Sequence, residues 1–477
     1  MDDGAIVPVF RPGFPPGKVV AWTLRNVLIP GADLYFGQGL MNRLRFLEKA
    51  QWWSRSRVNA YRAQQLAQLM AIAYTELPFY RDLMQSAGVV PEDIRAPEDL
   101  RRLPIVTKAM LREAYPHHTI RQTGQQTYET WSSGSTGVKT VVREDHETAG
   151  GYRASFLLSL EWAGWRFGEP HVQIGTHTHR SLDRGLKDYL LRCHYVSAFN
   201  LSERNFSRVL DLLERKRIRH LWGNPPSVNF LARRVSRGGW NAPLHTVVTW
   251  GDNLYKPYRT KIEAAFQTKV FDTYGCAEGF QIAAQCGTGQ NYHVHELDVI
   301  VEILDDEGLP VAPGEAGNVV VTRLHPGPMP LIRYQVGDIA VRGAREQCPC
   351  GRVWEQFGGI HGRDTDVVFT PSGARLNGHF FAALMEHFPE IAFVQVVQEA
   401  LSSVVVNVVL AADFHAPANW RGKALSVLKE SGAQDLRIEI EIVDEIPRCA
   451  SGKRLLVVNK LLTEVNIGSP SYATAKA

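Results

Sequence analysis

Between about residue 168 and residue 276, short apolar runs alternate with stretches of helical periodicity, and this alternation limits the fold more than any other feature of the chain. "HVQIG", "HLWGNPP", "HTVVTWGD" and "KVFDTYG" have strand length. They are separated by "NFSRVLDLLERKRI" and "PYRTKIEAAF", in which apolar residues recur every three or four positions. A sheet layered with helices, an α/β fold, is predicted. Upstream, "LMNRLRFLEKAQWWSRSRVNAYRAQQLAQLMAIAYTELPFYRDLM" reads as amphipathic helices, giving a helical N-terminal segment over 1–115 that wraps a core rather than forming it. Downstream, "LDVIVEIL", "GNVVVTRL" and "GDIAVRG" are strands joined by Pro/Gly/Asp turns, so a β-rich subdomain is expected over about 297–361.

A chain of 477 residues exceeds the size at which one core stops growing, so one large and one small domain are expected. After "GGIHGRDTD" the order strand, helix, strand, strand, helix, strand is compact enough to stand alone. The boundary is placed near Gly362, Arg363 and Asp364, with a large N-terminal domain over 1–361 and a small mobile α+β C-terminal domain over 362–477. The net charge of +4 supplies no field for nucleic acid. No apolar run is long enough to span a bilayer, and "MDDGAIVPVFRPGFPPGKVV" lacks the basic-then-apolar order of a secretion signal, so a cytoplasmic protein is expected. Six cysteines do not make a disulfide scaffold in so long a chain, and "CPCG" suggests metal more than a bridge.

The stretch "WSSGSTGVKT" concentrates hydroxyls and bare backbone. Ser132, Ser133, Gly134, Ser135, Thr136, Gly137, Val138, Lys139 and Thr140 form a loop in which amides and hydroxyls can crowd around an anion. The glycines are too close together for the G-x-x-x-x-G-K-[ST] pattern. Composition alone fits a Ser/Gly-rich surface turn equally well.

With "YGCAEG" at 274–279, "RYQVGD" at 333–338, "GRDTD" at 362–366 and "PRCASGK" at 447–453, the loop makes five ordered motifs. Together they resemble the signatures of adenylate-forming enzymes, the acyl-CoA synthetase-like superfamily. Through "LPFYRDL", "SGSTGVKTVV" and "CPCGR" the chain is similar to the phenylacetate-CoA ligase family, and "LEKAQWWS" resembles its capsular-polysaccharide-associated, CapK-like branch. The resemblance covers roughly 40–460 and implies an AMP-forming ligase that joins a carboxylic acid to coenzyme A at the expense of ATP.

It also implies roles. Ser132, Ser133, Gly134, Ser135, Thr136 and Gly137 would hold the ATP phosphates, assisted by Lys139. Glu278 would hold Mg²⁺, Tyr274 with Gly275 would lie against the adenine, and Asp338 would accept from the ribose hydroxyls. Arg363 would reach the ribose or α-phosphate, Asp364 would be the hinge, and Lys453 would bring a point charge to the reacting oxygens when the small domain closes. Trp222, Trp250 and Gly251 would bound the acyl pocket. In "QIGTHTHRSLDRG" the residues His177, His179, Arg180 and Asp183 depart from the family's glycine- and aromatic-rich acyl region; they suit either an acid more polar than an aryl acetate or a solvated loop.

Cys286, His293, Cys348 and Cys350 supply three thiolates and an imidazole, a tetrahedral zinc set with no position left for water and therefore structural, with His295 a competing ligand; the alternative is a set of buried free cysteines and a satisfied histidine. Cys193, Cys276 and Cys449 have no partner spacing. Two further readings stand beside the ligase: an adenylyltransferase or amide-forming relative, and a non-catalytic accessory protein of polysaccharide assembly. A homodimer is compatible with each.

Overall fold

In a computed structural model of the chain, the described residues are 22–132, 140–175, 182–197, 203–236, 238, 240, 242–344, 347–363, 366–373, 375–378, 380, 381, 384, 388, 391–410, 419–430, 433–447 and 454–461. Helical periodicity upstream becomes α1 (Ile29–Phe36), α2 (Leu40–Ala50), α3 (Arg55–Glu76), α4 (Pro78–Ser86) and α5 (Lys108–Ala114). Helix α3 starts where the Ser54 side chain accepts from the Arg57 amide, satisfying one of the donors a helix leaves open. Its apolar stripe of Leu66, Leu69, Met70 and Ala73 is buried against Ile282, Val319, Val321 and Tyr334. The expectation that these helices wrap a core is thus corrected. They supply one of its walls, each buried leucine contributing about 1.5–3 kcal/mol.

A hairpin of β1 (Thr127–Ser132) and β2 (Thr140–Asp145) follows, then α6 (His146–Trp162), capped by Asp145 through the Thr148 amide at 2.8 Å. The predicted alternation appears as β3 (His171–Gly175), α7 (Leu182–Leu190), β4 (Cys193–Ser197), α8 (Glu203–Arg215), β5 (His220–Gly223), α9 (Pro225–Ser236), β6 (Thr246–Thr249), α10 (Lys256–Phe266) and β7 (Val270–Cys276). Helical crossovers return the chain to the same end of the sheet, so the neighbouring strands from β3 to β7 pair in parallel. Short turns then replace crossovers, and β8 (Phe280–Gln285), β9 (Tyr292–Val294), β10 (Val299–Leu304), β11 (Ala316–Arg323), β12 (Tyr334–Arg342) and β13 (Gln356–Arg363) continue the sheet. β7 with β8, β8 with β9, β9 with β13, β10 with β11, and β11 with β12 pair antiparallel.

Among the described residues this is one eleven-stranded sheet in the order β10-β11-β12-β13-β9-β8-β7-β6-β5-β3-β4. The stretch read as a β-rich subdomain is hydrogen-bonded into the large sheet. The change of strand direction falls within β7, which pairs in parallel with β6 up to Asp272 and antiparallel with β8 from Thr273.

The chain forms two compact units, the first built mainly from residues up to Ile360 and the second mainly from His361 onward. In the second, β14 (Val367–Phe369) pairs with β15 (Arg375–Asn377), and β16 (Ile391–Ala400), β17 (Ser403–Leu410), α11 (Trp420–Glu430), β18 (Arg437–Ile442) and β19 (Val457–Asn459) follow. The four-stranded order is β18-β17-β16-β19. The last strand, β19, escaped the sequence reading because it is three residues long. It is held by parallel pairing to β16 and by Asn459 Nδ2, which donates to Val367 O at 2.7 Å and Gln398 Oε1 at 3.0 Å. No helix among the described residues is long and apolar enough to cross a membrane.

Candidate active site and metal centre

The end of β7 carries the first constellation. Two residues need to be glycine here. An added Cβ at Gly275 would lie 2.4 Å from Phe280 O across the hairpin, and one at Gly279, where φ is +82°, would lie 1.6 Å from Glu144 Oε1. The tight turn between them presents Glu278, 2 % exposed. Its Oε1 accepts from Tyr334 Oη at 2.8 Å and lies 3.9 Å from Lys108 Nζ. Along β7, Tyr274 Oη donates to Asp338 Oδ2 at 2.8 Å.

Strand periodicity explains why these groups meet. Tyr334, Val336 and Asp338 fall on one face of β12, two residues apart. Lys108 arrives by another route: Val106 pairs in parallel with Tyr334, its N–H donating to Arg333 O at 2.8 Å and its carbonyl accepting from Gln335 N at 2.9 Å. α5 begins two residues later, after the Thr107 cap. Burial first, and then the neighbouring carboxylates, push the Tyr274 and Tyr334 phenols far above their ordinary value. Both therefore remain protonated donors. Burial likewise raises the Cys276 thiol, which hydrogen-bonds Glu278.

Arg363 closes β13 and is half-buried. Trp222 is 5 % exposed, stacked on His171 at 3.6 Å and edge-on to Trp165 at 5.3 Å. Trp250 meets Trp222 at 6.5 Å and Phe156 at 5.7 Å, and Gly251 has φ +75° with open space around it. Ser132 ends β1. Ser133, Gly134, Ser135, Thr136, Gly137, Lys139, His177, His179, Arg180, Asp364, Cys449 and Lys453 lie outside the described residues.

The second constellation lies at the far end of β8. Ligand atoms of Cys286, His293, Cys348 and Cys350 all fall within 4.8 Å of one another. Cys286 Sγ is 3.6 Å from Cys348 Sγ, and Cys350 Sγ is 3.4 Å from His293 Nε2. Tetrahedral zinc with its usual bond lengths places sulfurs about 3.8 Å apart and sulfur from nitrogen about 3.5 Å apart, so the residues fit that ion. Thr288 Oγ1 stands 3.2 Å from both Cys286 Sγ and Cys348 Sγ. His295, the competing ligand, is engaged elsewhere: its Nε2 pairs with Ser159 Oγ at 2.9 Å and its ring stacks on Trp162 at 5.0 Å.

Residues 368–460 match the family model described as the CapK C-terminal domain. The phenylacetate-coenzyme A ligase of Thermus thermophilus is 28 % identical, aligned over 66 % of this chain and 72 % of that one. Its namesake from Escherichia coli is 27 % identical over 65 % and 72 %. The crystal structure of a 2-hydroxyisobutyryl-CoA ligase in the postadenylation state, in complex with R3-HIB-AMP, superposes with a TM-score of 0.71 at 19 % identity, covering 88 % of this chain and 94 % of that one. The fold is that of the adenylate-forming ligases. Over about two-thirds of its length the chain is similar to phenylacetate-coenzyme A ligases, and its residues 368–460 match a CapK C-terminal domain.

Two members of the first constellation were not singled out in the sequence. Tyr334 stands inside the "RYQVGD" motif, and the period of two from Asp338 points to it. Lys108, in "PIVTKAM", carries no local signal, because its position depends on the Val106 pairing across the chain.

Proposed function

We propose that the protein is an ATP-dependent ligase that activates a carboxylic acid as an acyl-adenylate and passes the acyl group to coenzyme A. In the first step a carboxylate oxygen attacks the α-phosphorus of ATP, the α–β anhydride bond breaks and pyrophosphate leaves. In the second the coenzyme A thiolate attacks the acyl carbon, the thioester forms and AMP leaves. The observation that carries the reading is the pair of tyrosine-held carboxylates, Glu278 and Asp338, in a chain homologous over about two-thirds of its length to phenylacetate-coenzyme A ligases.

Each role follows from charge. A carboxylate and a triphosphate repel, and donors and cations must offset that repulsion. Glu278 suits Mg²⁺, which takes one or two protein carboxylates and completes its shell with phosphate oxygens and water. Lys108 adds a second cation on the same carboxylate. Asp338, with one oxygen on Tyr274, keeps lone pairs for the ribose hydroxyls, and the Tyr274 ring beside Gly275 meets the adenine. Ser132 to Lys139 cradle the phosphates. Arg363 contacts the nucleotide, Asp364 serves as hinge and Lys453 supplies the charge at the reacting oxygens. The division proposed is an AMP-binding domain over 1–361 and a lid domain over 362–477. Trp222, Trp250 and Gly251 bound a pocket for an acid more polar than an aryl acetate. Cys286, His293, Cys348 and Cys350 hold a structural zinc, and the enzyme works in the cytoplasm.

The test is ATP–pyrophosphate exchange across aromatic, fatty, hydroxy and sugar acids, followed by product analysis with and without coenzyme A. Exchange with one class, and a thioester only when coenzyme A is present, are expected. Lys453→Ala should lower exchange by roughly two to three orders of magnitude. An amide product, or exchange with no acid at all, would overturn the reading.

A further inference from the structure

Arg352 follows the Cys348-Pro349-Cys350-Gly351 knuckle directly, and it is 9 % exposed. Its guanidinium lies between two indoles, 4.7 Å from the Trp52 ring and 4.6 Å from the Trp162 ring. Nε donates to Gln51 Oε1 at 2.9 Å, and the same oxygen accepts from Trp162 Nε1 at 2.9 Å. Gln51 Nε2 donates in turn to Glu48 O at 2.9 Å. Both the backbone and the side chain of Arg352 hydrogen-bond Cys350.

A buried guanidinium needs a compensating anion, and no described carboxylate forms a salt bridge with this one. The neighbouring metal set answers the need. Three thiolates and a neutral imidazole around a divalent ion carry one net negative charge, which is itself expensive to bury. We infer that Arg352, clamped between Trp52 and Trp162, supplies the counter-charge that lets the three-thiolate site hold zinc tightly, and so fastens the turn between α2 and α3 to the metal. Partners of this kind around a metal set both its affinity and the orientation of its ligands. The exposed indole is used as well: Trp52 is 57 % exposed, yet it covers the outer face of the cation.

The inference rests on the zinc reading proposed above, and the experiment separates the two. Zinc is counted per purified full-length chain by elemental analysis, and its dissociation constant is measured by competition with a chromophoric chelator. About one zinc per wild-type chain is expected, held roughly 10–100-fold more weakly by Arg352→Gln. Trp52→Ala should weaken it about two- to fivefold, and Arg352→Lys should recover part of the loss. Unfolding of metal-free and zinc-loaded protein should show that Arg352→Gln costs more stability with zinc than without, which mere packing of the side chain would not produce. Zinc bound at wild-type affinity by Arg352→Gln would overturn this inference and leave the metal site standing. Should that variant fail to fold, unchanged affinity in Trp52→Ala would overturn it equally. A wild-type chain that binds no zinc would overturn both.

Discussion

The two constellations share one sheet, linked by β8, but they meet their charges in opposite ways. At the β7 end each carboxylate already has a partner from the protein: Tyr334 donates to Glu278 and Tyr274 donates to Asp338, through phenols that burial keeps protonated. Such a site is complete enough to persist without a ligand and can exchange one. At the other end the sulfurs have one another, His293, the Thr288 hydroxyl and Arg352. Thiolates brought this close repel unless a cation holds them, so on the proposed zinc reading that site is filled once and kept. The contrast we propose is between a site for turnover and a site for construction.

The comparison breaks most visibly at Glu278. Glu278→Gln keeps the shape and removes the charge, and ATP–pyrophosphate exchange should fall by about two to three orders of magnitude. Exchange at the wild-type rate would remove Glu278 from the turnover site. Next in size is Asp338→Asn, for which the KM for ATP should rise roughly 10–100-fold while kcat changes less, since a hydrogen bond to a charged group is worth about 1.5–3 kcal/mol. Tyr274→Phe should shift the same constant in the same direction by a smaller factor.

Metal removal sharpens the other side. Cys286→Ser should lose zinc and lower the melting temperature by several degrees, at about 2–4 °C per kcal/mol for a domain of this order of size. Pyrophosphate exchange per folded molecule should stay within about threefold of wild type, because a metal with four protein ligands has no open position for chemistry. A loss of exchange comparable to that of Glu278→Gln would erase the distinction.

A further effect concerns pH. Burial raises the pKa of Asp272 from 3.8 to about 6, although Thr249 and Tyr292 hydroxyls donate to it at 2.5 Å. The folded state then binds its proton more tightly than the unfolded one. The stability this residue contributes is full below about pH 4 and is lost as pH rises through about 6. Asp272→Asn should flatten the dependence of the urea midpoint on pH between 4 and 7, an effect on the order of 3 kcal/mol at most.

What the sequence disclosed follows from how far each signal travels along the chain. The layered sheet was legible because apolar runs and helical stretches alternate locally from His171 to Cys276. The metal set was legible because thiolate and imidazole spacing is itself a chemical pattern. Glu278 and Asp338 were legible through their motifs, but their tyrosine partners depend on sheet register. Lys108 depends on a single bridge between Val106 and Tyr334, separated by more than two hundred residues. The N-terminal helices were misjudged as a wrapping because periodicity reveals that a face is apolar, not what lies against it. Arg352 stood in the quoted "CPCGR", and only the Trp52 and Trp162 rings, from two other parts of the chain, give it a task.

Oxygen transfer tests the central claim most directly. The acid chosen by the exchange assay is labelled with ¹⁸O in its carboxylate and incubated with ATP, Mg²⁺, coenzyme A and enzyme, and the AMP is weighed by mass spectrometry. One labelled oxygen in AMP is the result expected of acyl-adenylate formation followed by thioester transfer. Unlabelled AMP, or the label in inorganic phosphate, would contradict it.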